Sequence, residues 1–279
     1  MSFASCRTPP RAPVSRPRAS TPTASTSSAR VSRPHLAASR RVPRRASRAP
    51  LPSRAVENPD DAAEDLIVVP EDLATVSPRA VVELDPDAPA ADAEARAWYV
   101  PDFLDADDAA AVAAGCAKLR KKLKADHSFA NGRLSAMIPM TNPAYVLFAG
   151  ADVERRLREL TGVDRLRAGD FPVETRLYRP GSHMGWHQDV RLYERPQHEL
   201  IYTVSNESDA RTQWRGSDGV VRSVRPAPNS ALLFRADAAW HRVAPATEGE
   251  RTIVKALYCE DFAKTALFSE VMASAPWRR

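Results

Sequence analysis

YRPGSHMGWHQD, residues 178–189, is the stretch from which the rest of the chain can be read. The Gly-bounded segment GSHMG is loop material, and the residues after it have the character of a short extended segment. Side chains two apart on an extended segment share a face, so His187 and Asp189 project to one side together. A helical zinc site of the HExxH kind needs a spacing of four, which this segment lacks. For an isolated HxD pair, a surface histidine is a commoner outcome than a ligand, so the pair needs a third group.

That group is His241, 52 residues beyond Asp189 and just after the apolar run SALLF at residues 230–234. The neighbouring segments VETRLY, ELIYTVSN, VVRSV and RTIVKALY are β-branched or alternating and separated by turns. Several short strands at close spacing predict a sandwich or barrel rather than a parallel sheet with crossovers. Such a fold brings two strand ends together, and with them His187, Asp189 and His241. Two imidazoles and one carboxylate form the facial ligand set of non-haem iron(II) oxygenases, with the opposite coordination positions open. His183 is the competitor within the motif, approaching the metal or facing solvent. His35, His127 and His198 fit less well, in the N-terminal segment, a helix-end loop and a charged loop respectively.

Helices precede the strands. DADDAAAVAAGCAKLRKKLK, from Asp105, begins with acids and ends with cations, which suits the helix macrodipole, and its aspartates can cap the first free amides. A second helix is expected over residues 151–160, stopping at Gly162. The expected fold class is α+β, mainly β, with N-terminal supporting helices.

Composition divides the chain. Residues 1–54 hold twelve Arg, no Lys and no acid, with nine prolines between Pro9 and Pro52 that would interrupt any long helix. The formal net charge of +5 becomes −7 for residues 55–279 once the +12 of this segment is taken away. An acid-free segment rich in Ser, Thr, Ala, Pro and Arg is the composition of a disordered transit peptide, with a chloroplast favoured over a mitochondrion as its destination. The plainer alternative is a permanent basic tail. Residues 55–96 read as an acidic linker and residues 97–279 as the folded domain. Cys6, Cys116 and Cys259 are too few and too scattered for a disulfide framework. No apolar run approaches the length of a membrane span.

The segments 174–190 and 229–258 resemble the iron(II) and 2-oxoglutarate-dependent dioxygenases, in particular their prolyl 4-hydroxylase-like branch. Tyr178, Gly181, His187 and Asp189 stand at the intervals of that branch, and His241 is followed by Val243 and Pro245, a Gly-containing turn and Arg251. The resemblance covers roughly residues 98–262. It implies a double-stranded β-helix (jelly-roll) core and Fe(2+) held by His187, Asp189 and His241, with Arg251 anchoring the distal carboxylate of 2-oxoglutarate and Tyr178 donating its hydroxyl to the same group. A guanidinium fork suits a carboxylate through two parallel hydrogen bonds. Alternation places residues 251, 253 and 255 on one face, so Lys255 is the alternative anchor. The ordinary reading of Tyr178 is a core tyrosine with a satisfied hydroxyl. The implied reaction consumes O2 and 2-oxoglutarate, releases succinate and CO2, and hydroxylates a protein side chain, prolyl included, or a small metabolite; ascorbate is an additional reductant. Retention of Asp189 favours hydroxylation over halogenation.

Two departures loosen the tie to proline. Met184 replaces the second aromatic of the branch motif, and the Gly-Gly pair that precedes a middle strand is absent from SDARTQWRGSDG. Nucleic acid is not an expected substrate: Leu257 stands where repair enzymes of the superfamily carry a second Arg, and residues 55–279 are net acidic. The rival readings are an inactive jelly-roll that only binds, and a cupin-like metal enzyme that uses no 2-oxoglutarate. Trp186 and Trp240 should point away from the ligands and pack. Arg176 shares the face of Tyr178, at the substrate entrance or in an ion pair with an acid such as Glu174. Substrate specificity is expected in residues 126–142 and 191–199, loops around the open side.

Overall fold

The structure, a computed structural model, describes residues 81–126 and 130–274. The expected transit segment, His35, His127 and Cys6 lie outside the described residues. Two sheets dominate. One has the order β1 (Val81–Glu83), β11 (Val221–Val224), β10 (Thr212–Arg215), β13 (His241–Val243), β8 (Met184–His187). The larger runs β2 (Ala90–Asp92), β3 (Ala97–Val100), β12 (Ser230–Arg235), β9 (His198–Asn206), β14 (Arg251–Cys259), β7 (Glu174–Tyr178), β5 (Leu134–Met137), β4 (Lys124–Ala125), with β6 (Arg167–Ala168) on the far end of β14. Nearly all pairings are antiparallel, and neighbours in space are distant in sequence, as in a jelly-roll.

Period-two alternation assigns each strand two jobs. On β9, β12 and β14 the residues Leu200, Tyr202, Ala231, Leu233, Val254, Ala256 and Tyr258 face outward into a core shared with the helices. Their alternates face the other sheet: Leu232 and Phe234 pack with Trp214 and Val224, while Ile253 packs with Tyr178 and Val243. Each large apolar side chain buried in this way contributes about 1.5–3 kcal/mol. The register is held because a slip of one residue would swap the two sets.

The helices form as their ends dictate. In α1 (Ala106–Ala117) Asp105 accepts a hydrogen bond from the backbone of Asp108 at 2.8 Å, the cap expected from the sequence. The helix is shorter than the pattern predicts: the chain tightens into a 3-10 turn at Arg120–Lys122, and Leu119 turns into the core. The next helix, α2 (Pro143–Phe148), is capped by Asn142 and has no counterpart in the sequence reading. The third, α3 (Ala151–Thr161), stops at Gly162, whose φ of +70° is left-handed, in agreement with the expected stop. A last helix, α4 (Ala266–Ser274), also absent from the sequence reading, packs Phe268 against Phe171 and Tyr193.

The fold reaches back into the stretch expected to be linker. Strand β1 pairs with β11 in parallel, and β2 pairs with β3. Asp92 accepts hydrogen bonds from both the backbone and the hydroxyl of Ser217, tying this stretch to the β10–β11 turn. Among the described residues no helix is long and apolar enough to cross a membrane. Cys116 and Cys259 are buried free thiols.

Candidate metal centre and anion pocket

Strands β8 and β13 are neighbours, and His187 and His241 are directly opposed in their register. Asp189 stands two residues past His187, its backbone carbonyl accepting from Asp237 at 3.0 Å, while Gln188 donates to the carbonyl of Ala238. The three side chains that the sequence proposed as ligands therefore meet, each offering one atom within 4.8 Å of the others. His241 Nε2 is 3.4 Å from one carboxylate oxygen of Asp189, and His187 Nε2 is 3.8 Å from the other.

Each imidazole is held by its other nitrogen. His187 Nδ1 lies 2.8 Å from the carbonyl of Gly185, and His241 Nδ1 lies 3.0 Å from that of Ala239. A carbonyl only accepts, so Nδ1 carries the proton and Nε2 presents a lone pair to the shared point, the arrangement that orients metal ligands. Phe234 stacks on His241 with ring centroids 4.3 Å apart and planes within 10°. Burial, followed by the neighbouring His241, pushes His187 down to about 3, so the ring is neutral and competent to ligate. Burial alone would raise Asp189, yet His241, Lys255 and His187 together hold it at about 2. Its Oδ2 is buried with no hydrogen-bond partner among the described residues. A buried carboxylate oxygen left unpartnered beside two nitrogen lone pairs fits a divalent cation.

Arg251 opens β14 and is paired across the sheet with Tyr178 on β7. It is 1 % exposed, yet no carboxylate pairs with it among the described residues. Instead Nη1 donates to Thr212 Oγ1 at 2.9 Å and Nη2 to Thr203 Oγ1 at 3.4 Å, and Nε has no partner. Burial brings its pKa down to about 10, which leaves it charged at neutral pH. Burial alone would raise Tyr178, but the positive charges of Arg133, Arg176 and Arg251 bring it below the ordinary tyrosine value. These groups line the cavity, of about 240 Å³, that also holds the three ligands. A buried cation without a counter-ion fits a carboxylate supplied from outside.

Residues 251, 253 and 255 all line the cavity, as their alternation implies, but Lys255 is committed to an ion pair with Glu199, which leaves Arg251 as the uncommitted cation of that strand. Arg176 both lines the cavity and pairs with Glu174 at 2.8 Å. Trp186 and Trp240 cluster with Val81 and Val221, away from the ligands. His183 bonds to Asn131 and to the carbonyl of Gly181, outside the ligand cluster. His198 is corrected: it opens β9 rather than sitting in a charged loop, and is buried against Trp98.

Two wall residues, Arg133 and Asp126, lie in the stretch 126–142 expected around the open side, although no motif there singles them out. Arg133 donates through Nε and Nη2 to Asp126 Oδ2, at 2.9 and 2.6 Å, on the cavity wall. Its Nη1 lies 3.5 Å from the Tyr178 hydroxyl and 3.6 Å from Met184 Sδ, so a guanidinium and a thioether occupy the neighbourhood of the missing second aromatic. Leu267 and Val271 of α4 line the same cavity, a second contribution that no motif announces.

No family profile and no curated protein matches the chain. Solved structures do. A 2OG-Fe(II) oxygenase family oxidoreductase from Burkholderia pseudomallei superposes with a TM-score of 0.53 at 14 % identity, over 62 % of this chain and 89 % of its own. The fold is that of the 2OG-Fe(II) oxygenases. A Pseudomonas putida prolyl-4-hydroxylase gives 0.49 at 22 % identity over 58 % and 91 %, and a Trichoplax adhaerens prolyl hydroxylase, solved with a hypoxia inducible factor peptide, gives 0.49 at 14 % over 64 % and 87 %. Within this oxygenase fold, His187, Asp189, His241 and Arg251 converge on one cavity.

Proposed function

We propose that the protein is an iron(II)- and 2-oxoglutarate-dependent hydroxylase of the prolyl 4-hydroxylase-like kind. The observation that carries this reading is the pairing, in one cavity, of a His–Asp–His cluster with a buried arginine that has no acidic partner among the described residues. A metal-only jelly-roll has no use for that arginine, and a purely binding protein has no use for the cluster.

When bound, iron(II) with 2-oxoglutarate and O2 supplies an oxidant that hydroxylates a C–H bond and releases succinate and CO2. The chain's own residues supply the geometry. His187 and His241 offer Nε2 to the metal, fixed by their Nδ1–carbonyl bonds, and Asp189 completes one face. Arg251 receives the distal carboxylate, steadied by the Thr212 and Thr203 hydroxyls, and Tyr178 directs its hydroxyl to the same group. Phe171, Leu192 and Val271 shed water from the approach.

The test is succinate formation from 2-oxoglutarate under air with Fe(2+), with and without ascorbate. Substrate-independent turnover lost in His187→Ala supports the reading; its absence from wild-type protein overturns it. The composition of residues 1–54 supports import into the chloroplast, and a fluorescent fusion that stays in the cytosol would refute that assignment.

A further inference from the structure

Four cations line the metal-site cavity, and Arg251 is the proposed anchor of 2-oxoglutarate. Arg133 is committed to Asp126, Tyr178 and Met184. Arg176 is committed on one side alone. Its Nε donates to Glu174 Oε2 at 2.8 Å, but among the described residues Nη1 and Nη2 have no hydrogen-bond partner, and 13 % of the side chain stays exposed in the cavity wall. Lys255, next to it on the same wall, pairs with Glu199 and is 14 % exposed.

The sheet register separates these groups from the Arg251 pole. Arg251 opposes Tyr178, the next cavity-facing pair is Ile253 with Arg176, and the next is Lys255 with Glu174. Arg176 and Lys255, each paired with a buried carboxylate, thus form a second band of charged groups, displaced along β7 and β14 from the group assigned to 2-oxoglutarate. A guanidinium whose orientation is fixed through Nε and whose two Nη groups face a cavity is preset for a carboxylate. The mouth beyond it has a different character: Phe171, Val190, Leu192, Leu267 and Val271 line it, with Val190 and Leu267 about two-fifths exposed.

Resting on the hydroxylase reading, we propose that Arg176, steadied by Glu174 and flanked by Lys255, is a second carboxylate-binding pole, and that the substrate is a small acid with an apolar body. The polar end docks on the Nη edge of Arg176 and the hydrocarbon part fills the mouth under α4. A neutral peptide side chain would leave that edge unsatisfied in a confined site, at a cost in affinity.

The probes are hexanoate and its uncharged isostere hexanamide, titrated by calorimetry into the full chain loaded with Mn(2+), a redox-inert stand-in, and saturating 2-oxoglutarate. Hexanoate should bind at least about tenfold more tightly than the amide, as expected for a charge-assisted pair of hydrogen bonds. The double variant Glu174→Gln/Arg176→Gln, which removes both charges together, should erase that preference; Arg176→Lys, which keeps the charge and loses the fork, should reduce it. Equal binding of acid and amide, or a preference retained in the double variant, would overturn the proposal. A preference for a neutral proline-containing peptide over hexanoate would do the same. Failure of 2-oxoglutarate itself to bind would instead strike the hydroxylase reading, and the wild-type-against-variant comparison with hexanoate would still decide the role of Arg176.

Discussion

Tyr178 and Arg251 are direct register partners on adjacent strands, and both side chains turn into the cavity that holds His187, Asp189 and His241. The relationship ties two segments far apart in sequence to one task. Replacing Arg251 by Met should raise the KM for 2-oxoglutarate by about 10- to 100-fold, the loss of hydrogen bonds to a charged group. Ligand-free stability should hold or rise, because the arginine is buried without a counter-charge among the described residues. A large fall in the ligand-free melting temperature with KM unchanged would make Arg251 a structural residue.

Metal should stabilise the fold. At a concentration about a hundred times its Kd, Fe(2+) or Mn(2+) adds about 2.7 kcal/mol, or about 5–10 °C in Tm for a domain of this size. Asp189→Ala and His187→Ala should abolish the shift. A metal-dependent shift that survives both variants would place the ion elsewhere.

Acid should weaken the protein through His198. Burial, with Arg235 and Arg96 nearby, depresses this imidazole from 6.5 to about 4. Between those values the unfolded chain binds a proton that the folded chain refuses, so stability falls as pH drops from about 6.5 to about 4 and is unaffected by this group above that window. The full loss is on the order of 3 kcal/mol. His187, depressed for the same dominant reason, adds a loss of the same sign in the metal-free protein. Urea midpoints at pH 7 and pH 4.5 check this: His198→Leu should shrink the difference, and an unchanged difference would remove His198 from the account.

How much of this was legible depended on the length over which a pattern ran. Strand β14 alternates over nine residues and β9 over the same number, so both could be read directly. TQWR at Thr212–Arg215 is four residues long, and PAYVLF at Pro143–Phe148 six, too short for either period to declare itself. His198 sits in a run of charged and polar residues that resembles a solvated loop, yet pairing with Arg235 and Tyr258 on the flanking strands buries it. The His187–Asp189 pair could be read from its two-residue spacing on an extended segment, although β8 ends at His187, and His241 from its place directly after the apolar strand β12. The Asp126–Arg133 pair could not, because its burial comes from the docking of β5 on β7, which no local pattern encodes.

The lower boundary of the fold gives a last prediction, since the sequence placed it near residue 97 and the pairing places it at or before residue 81. A chain starting at Ala97 would lose the β2 ladder on β3, the β1 ladder on β11, the contact of Val81 with Val221, and the hydrogen bonds of Asp92 to Ser217. It would also uncover the edge of β3, which carries Trp98 and Tyr99 into the two cores. The expected cost is on the order of 3 kcal/mol, a large share of the stability of a typical domain. A chain starting at residue 81 keeps all of these contacts, so its urea midpoint should exceed that of the shorter chain by the corresponding amount. Equal midpoints would return residues 81–96 to the status of a linker, whereas aggregation of the shorter chain alone would be the exposed β3 edge acting as a template for pairing.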